Sequence, residues 1–429
     1  MVVDNTHELI DLYKQILVSE LIPAQGCTEP IAIALSAARA REILGLTPEH
    51  LTLYLAGNMI KNAKSVTVPN SGGQKGIEIA AALGALAGDA AKLLQVLSSV
   101  TPADVERAIA YVKAGHVSVK LVDNEENLYV RTVAFAAGHE SYVEIKYDHT
   151  RYNSICFDGE MILDRTREQT AVKDTSLLSS LSVANILQAA DALDFSEHPD
   201  LSNTLERQIE LNQAIADEGL NQPYGVEVGR TLLSAGDDPV TVAKARAAAG
   251  SDARMNGSDL PVVINSGSGN QGITVSVPVI EYAKRSGASH DRLLRSLFVS
   301  NLLAIHQKRF IGKLSAFCGV VSAAAAAGGA IAYLDGQDRG QVERTIINTL
   351  GTAGGIVCDG AKASCAAKIA LALDNAFMAK RMAEQDHVFQ PGDGIVGEDV
   401  EETIRNVGRM AKDGMKSTDL EILLIMTGK

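Results

Sequence analysis

Five cysteines carry most of the chemical potential in this 429-residue chain: Cys27, Cys156, Cys318, Cys358 and Cys365. Cys358 and Cys365 stand in "CDGAKASC", at the entry of an alanine-rich stretch with helical character. Along one continuous helix they would be separated by about 10.5 Å, beyond the roughly 7 Å between Cα atoms that a disulfide tolerates. "CDG" puts Asp359 and Gly360 directly after Cys358, so the helix is expected to begin later and Cys358 to curl back towards Cys365. Cys318, on a separate Ala/Gly-rich helix, would supply a third arm. Three thiolates suit an iron–sulfur cluster that leaves one iron without a protein ligand. The spacing matches none of the common short zinc or ferredoxin patterns, and buried cysteines often only fill space, so both readings stand at this point. Cys156 falls in an expected strand and reads as structural.

Cys27 opens "CTEP", with Thr28 the expected N-cap and Pro30 in the first turn. A helix N-terminus favours a thiolate, which makes Cys27 a candidate proton-transfer group; the plainer reading is a small residue in a tight turn after Gly26. The loop "NSGSGNQG" offers backbone N–H groups with Asn265, Ser266, Ser268, Asn270 and Gln271, a nest of donors suited to a substrate carboxylate. The same loop resembles the substrate loop of fold-type II pyridoxal-phosphate enzymes, but that reading requires a Schiff-base lysine on a strand-to-helix turn, and Lys244 sits inside a helical pattern. His306, in "AIHQKRF", is a candidate base or substrate ligand, or else a satisfied core histidine. Arg254 and Lys313 could pair with a carboxylate or serve as solvated charges.

The elements that must position these groups fall into two patterns. Helices are expected over Thr6 to Glu20, from Thr28 to Gly45, and over Lys75 to Gly88, with a strand at Leu51 to Ala56. From His116, "HVSVKLV", "NLYVRTVAF", "SYVEIKY" and "YNSICF" alternate in polarity and are separated by turn residues, as antiparallel strands do. Beyond the polar stretch "DRTREQTAVKDTSL", long apolar helical patterns run to the C-terminus, interrupted by one irregular glycine-rich segment from Gly250 to Pro278. The expected fold class is α+β: an N-terminal α/β sandwich-like domain over 1–165, then a mostly α-helical catalytic domain over 166–429.

Composition narrows the partners. With 39 basic against 52 acidic residues and a formal charge of −13, neither nucleic acid nor an anionic membrane surface is expected, and a small molecule is. The N-terminus lacks a basic-then-apolar signal, which points to the cytoplasm, where thiols stay reduced. The uncharged run from Ala316 to Leu334 is long enough to span a bilayer, but alanine and glycine dominate it, so a tightly packed buried helix is expected instead. Oligomeric state stays open, a homo-oligomer included.

Taken together, "GCTEPIAIALSAARA", "SDARMNGSDLPVVINSGSGNQGI", "KLSAFCGVVSAAAAAGG" and "GGIVCDGAKASCAAKIA" resemble the L-cysteine desulfidase family, itself related to the iron–sulfur L-serine dehydratases. The likeness runs over nearly the whole chain. It implies that Cys318, Cys358 and Cys365 hold a [4Fe-4S] cluster and that Cys27 lies at the active site. The implied reaction is β-elimination of L-cysteine to sulfide, ammonia and pyruvate. The same site acting on L-serine would be a dehydratase, and a non-catalytic cysteine or iron sensor is a further alternative.

Overall fold

The computed structural model of the chain describes residues 6–122, 126–166 and 177–428. Most of the polar stretch after Asp164 lies outside the described residues, so its reading as a linker is not addressed. The fold is α+β. A six-stranded mixed sheet runs in the order β3-β2-β4-β5-β6-β7, built from β2 (His50–Ala56), β3 (Val117–Val122), β4 (Tyr129–Ala136), β5 (His139–Lys146), β6 (Tyr152–Phe157) and β7 (Glu160–Asp164). All neighbours pair antiparallel except β2 and β3, which are parallel. Alternate residues of β2 are buried, as a sheet with one covered face requires.

Two helices, Thr28–Leu44 and Ile77–Ala87, cross closely beside this sheet. Gly84 makes the approach possible, because a Cβ there would come within 2.2 Å of the Ala34 carbonyl oxygen. Ser36 meets the sheet with a polar contact, donating to Thr132 Oγ1 at 2.8 Å, so its buried hydroxyl is satisfied. The first of these helices ends where the sequence indicates, at Gly45 in the left-handed conformation with φ 72°.

The remainder is helical and is organised around Gly319–Leu334, which packs against His290–Ile311, Arg339–Ala353, Cys365–Glu384 and Gly269–Ser286. Every residue from Val320 to Leu334 is buried. Small side chains permit this: a Cβ at Gly328 would lie 3.1 Å from Ala376 Cβ, and one at Gly329 only 3.2 Å from Ile346. Among the described residues no helix is long and apolar enough to cross a membrane.

One hydrophobic core runs through residues on both sides of position 165. The first helix, Thr6–Glu20, packs on helical-half elements, with the Tyr13 and Phe298 rings 6.3 Å apart and the Tyr13 hydroxyl donating to the Ser180 carbonyl. The segment from Gly250 to Pro278 is a correction to the sequence reading. A helix continues to Met255 and another runs from Gly269 to Ser286 with Pro278 inside it, so only the intervening residues are irregular. Within them, β8 (Pro261–Val263) forms a two-stranded sheet with β1 (Pro23–Gln25).

Candidate active site

That small sheet decides where Cys27 lies. Pro23 pairs with Val263 and Gln25 with Pro261, so the chain leaving β1 runs beside the loop that leaves β8. Gly26 turns the chain at φ 52°, and a Cβ there would strike the Pro69 ring at 2.2 Å. Cys27 then occupies the N-cap of the helix Thr28–Leu44, in extended conformation. Thr28 is therefore the first helical residue rather than the cap, and its hydroxyl donates to the Gly267 carbonyl at 2.9 Å, tying the two turns together.

The Cys27 thiol donates to Glu29 Oε2 at 2.8 Å. Glu29 Oε1 accepts from Asn62 Nδ2 at 3.1 Å and lies 3.6 Å from His149 Nε2. Burial alone would raise the Glu29 carboxyl, but the contact with His149 and the Cys27 and Asn62 donors outweigh it and hold the group well below the usual carboxylate range. Burial, reinforced by the Glu29 charge, pushes the Cys27 thiol well above its ordinary value. These surroundings oppose the thiolate expected at the helix N-terminus. Desolvation and an adjacent carboxylate are stronger than the partial charge of a helix end.

Cys318, Cys358 and Cys365 line the same cavity as Cys27. Cys318 caps the helix Gly319–Leu334 without using its side chain, which leaves the sulfur available. A short antiparallel bridge between Phe317 and Val357 joins its turn to that of Cys358: Cys318 N–H donates to Ile356 O at 3.1 Å and Cys358 N–H to Ala316 O at 2.6 Å. The chain from Cys358 to Ser364 is not helical, and Cys365 begins the helix Cys365–Glu384, as the "CDG" turn implies. The Cys318 side chain draws the Cys358 thiol below its ordinary value against the effect of burial, with Lys61 helping. Cys358 and burial together raise Cys318, and burial raises Cys365. Lys308 also lines the cavity, and burial pushes its ammonium down to about 8.

A profile described as serine dehydratase alpha chain matches residues 91–424. The chain belongs to the serine dehydratase alpha-chain family. The chain is also similar to proteins named "UPF0597 protein": that of Lachnoclostridium phytofermentans is 49% identical over 97% of this chain and 100% of the relative. The relative from Finegoldia magna is 46% identical over 97% and 99%, and that from Treponema denticola 45% over 96% and 97%. The serine dehydratase alpha-chain match takes in Cys318, Cys358, Cys365 and His149, whereas Cys27 and Glu29 precede it.

Within this serine dehydratase-like chain the glycine-rich loop divides. Ser268 caps the helix Gly269–Ser286 by accepting from Gln271 N–H at 3.4 Å, and Ser268, Asn270 and Gln271 line the cavity. Asn265 instead donates to Asn301 Oδ1 at 3.0 Å, and Ser266 Oγ donates to Asn265 Oδ1 at 2.9 Å; neither side chain lines the cavity. His306 is likewise not brought to it. Its Nε2 lies 2.7 Å from Glu401 Oε2 and its ring meets Phe310 edge-on, because it occupies the face of His290–Ile311 that packs on Val400–Arg409. Lys244 pairs with Asp374 at 2.5 Å and is no cavity residue. Cys156 is buried in β6, as a structural cysteine would be. Lys313 lines the cavity and pairs with Asp148.

Glu29, His149, Asn62 and Lys308 are the residues that sequence reasoning passes over. Only Glu29 carries a local signal, an acidic residue in the first turn two positions after Cys27. A fifth, Lys61, is buried and donates to Cys358 O at 3.2 Å and to Asp419 Oδ1 at 2.5 Å. Asp419 Oδ2 in turn accepts from Ala316 N–H at 2.9 Å, so one carboxylate holds both cysteine-bearing turns. Asp419→Ala should leave the Lys61 ammonium buried without its counter-charge and lower stability by about 3 kcal/mol. Urea unfolding would show this as an earlier midpoint at unchanged slope, and adding Lys61→Met should restore most of the loss.

Proposed function

We propose that this serine dehydratase-like chain is a β-eliminating lyase acting on L-cysteine, with sulfide, ammonia and pyruvate as products. The observation that carries the reading is that Cys27 and the three thiols of Cys318, Cys358 and Cys365, scattered along the sequence, line one cavity. Among the described residues no three His, Cys, Asp or Glu side chains converge tightly enough to hold a single metal ion. A four-iron core spans more space than one ion and is reached by thiols that no single ion collects. The donor set fits such a core: three cysteines, one already drawn towards the thiolate, with Lys61 beside it. Cys318, Cys358 and Cys365 would hold the [4Fe-4S] cluster. When bound, it supplies an iron with an open position, a Lewis acid with affinity for soft sulfur.

The chain's own residues handle the proton. β-Elimination takes the α proton from the substrate and sends the C–S bonding electrons out with sulfide. Free aminoacrylate then tautomerises to the imine, which water hydrolyses to pyruvate and ammonia. Cys27 Sγ is the group that takes the proton from Cα, its own thiol proton passing to Glu29 along the hydrogen bond between them, and Asn62 and His149 fix that carboxylate. Burial of Cys27 and Glu29 limits the access of water to these groups.

L-Serine is the second reading, favoured by the family to which the chain belongs. Anaerobic reconstitution with iron and sulfide, desalting, and assay of both amino acids decides between them. The expected result is a larger kcat/KM for L-cysteine, with sulfide and pyruvate released in equal amounts. Turnover of L-serine alone would transfer the assignment to a dehydratase, and turnover of neither by fully reconstituted protein would remove the lyase reading.

A further inference from the structure

We propose that Arg254 is the anchor for the substrate carboxylate and that, with Asn270 and Gln271, it makes the cavity selective for a small zwitterionic amino acid. The inference deepens the β-elimination reading and rests on it for the identity of the substrate.

Arg254 stands at the end of the helix Pro239–Met255, only 3% exposed, with its side chain lining the cavity that Cys27 and the three thiols share. Its Nε has no hydrogen-bond partner among the described residues, and its guanidinium reaches only the Met255 sulfur, at 4.0 Å. A buried guanidinium left unpaired is costly, and such groups are ordinarily matched by a carboxylate. The carboxylate already present does not serve, because Glu29 is engaged by Cys27, Asn62 and His149. A planar fork lining a cavity is suited to two parallel N–H···O bonds with a ligand carboxylate.

The neighbouring chain is shaped around this side chain. Gly269 opens the next helix, and a Cβ there would sit 2.2 Å from Arg254 Nε, so the absence of a side chain is what lets the guanidinium lie across the helix start. The first turn of that helix adds its partial positive charge on the same side. On the same turn, Asn270 Oδ1 and Gln271 Oε1 are buried acceptors without a partner among the described residues. Those oxygens are suited to an ammonium. Gly319 leaves room for Gln271, since a Cβ there would come within 2.6 Å of its amide carbon. Cation and acceptors thus stand side by side, which is the pattern that an α-amino carboxylate presents in reverse.

The test uses calorimetric titration of the reconstituted protein with L-serine, with 3-hydroxypropionate, which lacks the ammonium, and with ethanolamine, which lacks the carboxylate. The wild type should bind L-serine best, 3-hydroxypropionate next and ethanolamine least. Arg254→Gln should weaken L-serine and 3-hydroxypropionate by roughly 100-fold and leave ethanolamine unchanged. In turnover, the same variant should raise KM for L-cysteine by a similar factor, with a smaller change in kcat. Equal binding of ethanolamine and 3-hydroxypropionate to the wild type overturns the assignment, even if the variant fails to fold. So does an unchanged KM in a folded Arg254→Gln protein. If the wild type releases no sulfide yet binds the three ligands in the expected order, the lyase reading falls and the anchor stands.

Discussion

Cys27→Ser should reduce L-cysteine turnover by about 10²- to 10⁴-fold while the brown iron–sulfur absorbance of the reconstituted protein stays at the wild-type level. The substitution is gentle by structural criteria. Cys27 is a buried N-cap whose side chain makes no cap hydrogen bond, and a serine hydroxyl can make the same donation to Glu29 that the thiol makes at 2.8 Å. What changes is the proton chemistry, since an alkoxide is far less accessible than a thiolate in a buried site. Cys27→Ala separates the contributions further, because it also takes one donor from Glu29 and leaves a buried carboxylate with fewer partners. The alanine variant should therefore lose stability as well as turnover, and the serine variant turnover alone. Wild-type rates of sulfide release in Cys27→Ser would end the assignment of Cys27 as the proton-transfer group.

The fold was legible where periodicity is local. The helices Thr6–Glu20 and Thr28–Leu44 and the strands β2 to β6 announce themselves through their spacing of apolar residues, and Gly45 through its need for positive φ. The parallel pairing of β2 with β3 is set by contacts distant in sequence and leaves no such mark. The glycines between Gly250 and Pro278 mislead for a specific reason: Gly269 and Gly272 sit inside a helix because neighbours approach too closely for a side chain, with a Cβ at Gly272 meeting the Val263 carbonyl at 2.0 Å. At the site, cysteine chemistry is visible from residue type, but convergence is not. It depends on the Phe317–Val357 bridge and on Asp419, from the last helix, holding Lys61 and Ala316 together. His306 shows the converse, since a histidine near Cys318 in sequence lies on a helix face turned towards Glu401. The helix end beside Cys27 is a local feature that the sequence shows, whereas the desolvation that raises its thiol depends on everything packed around the group.

Removing any one of Cys318, Cys358 or Cys365 should abolish both the iron–sulfur absorbance after reconstitution and the release of sulfide. The three are expected to act as a unit. A pair of them removed together should cost no more activity than one, as with other groups whose function requires the full set. Loss of activity by unfolding is a separate matter, and the structure allows the two to be told apart. Cys318 does not cap its helix with its side chain, and Cys358 and Cys365 are only partly buried, so alanine at each leaves the metal-free protein folded, with a cost of about 1 kcal/mol. Metal-free wild type and variants should then share similar unfolding midpoints, while only the wild type gains stability on reconstitution, because a ligand that binds the folded state alone stabilises it by mass action. Cys156→Ala supplies the control, buried in the sheet and absent from the cavity, and should retain both absorbance and turnover. Full absorbance in Cys318→Ala, Cys358→Ala or Cys365→Ala would show that the missing sulfur is not a cluster ligand. Full absorbance in all three would mean that the thiols meet in this cavity for packing rather than for chemistry.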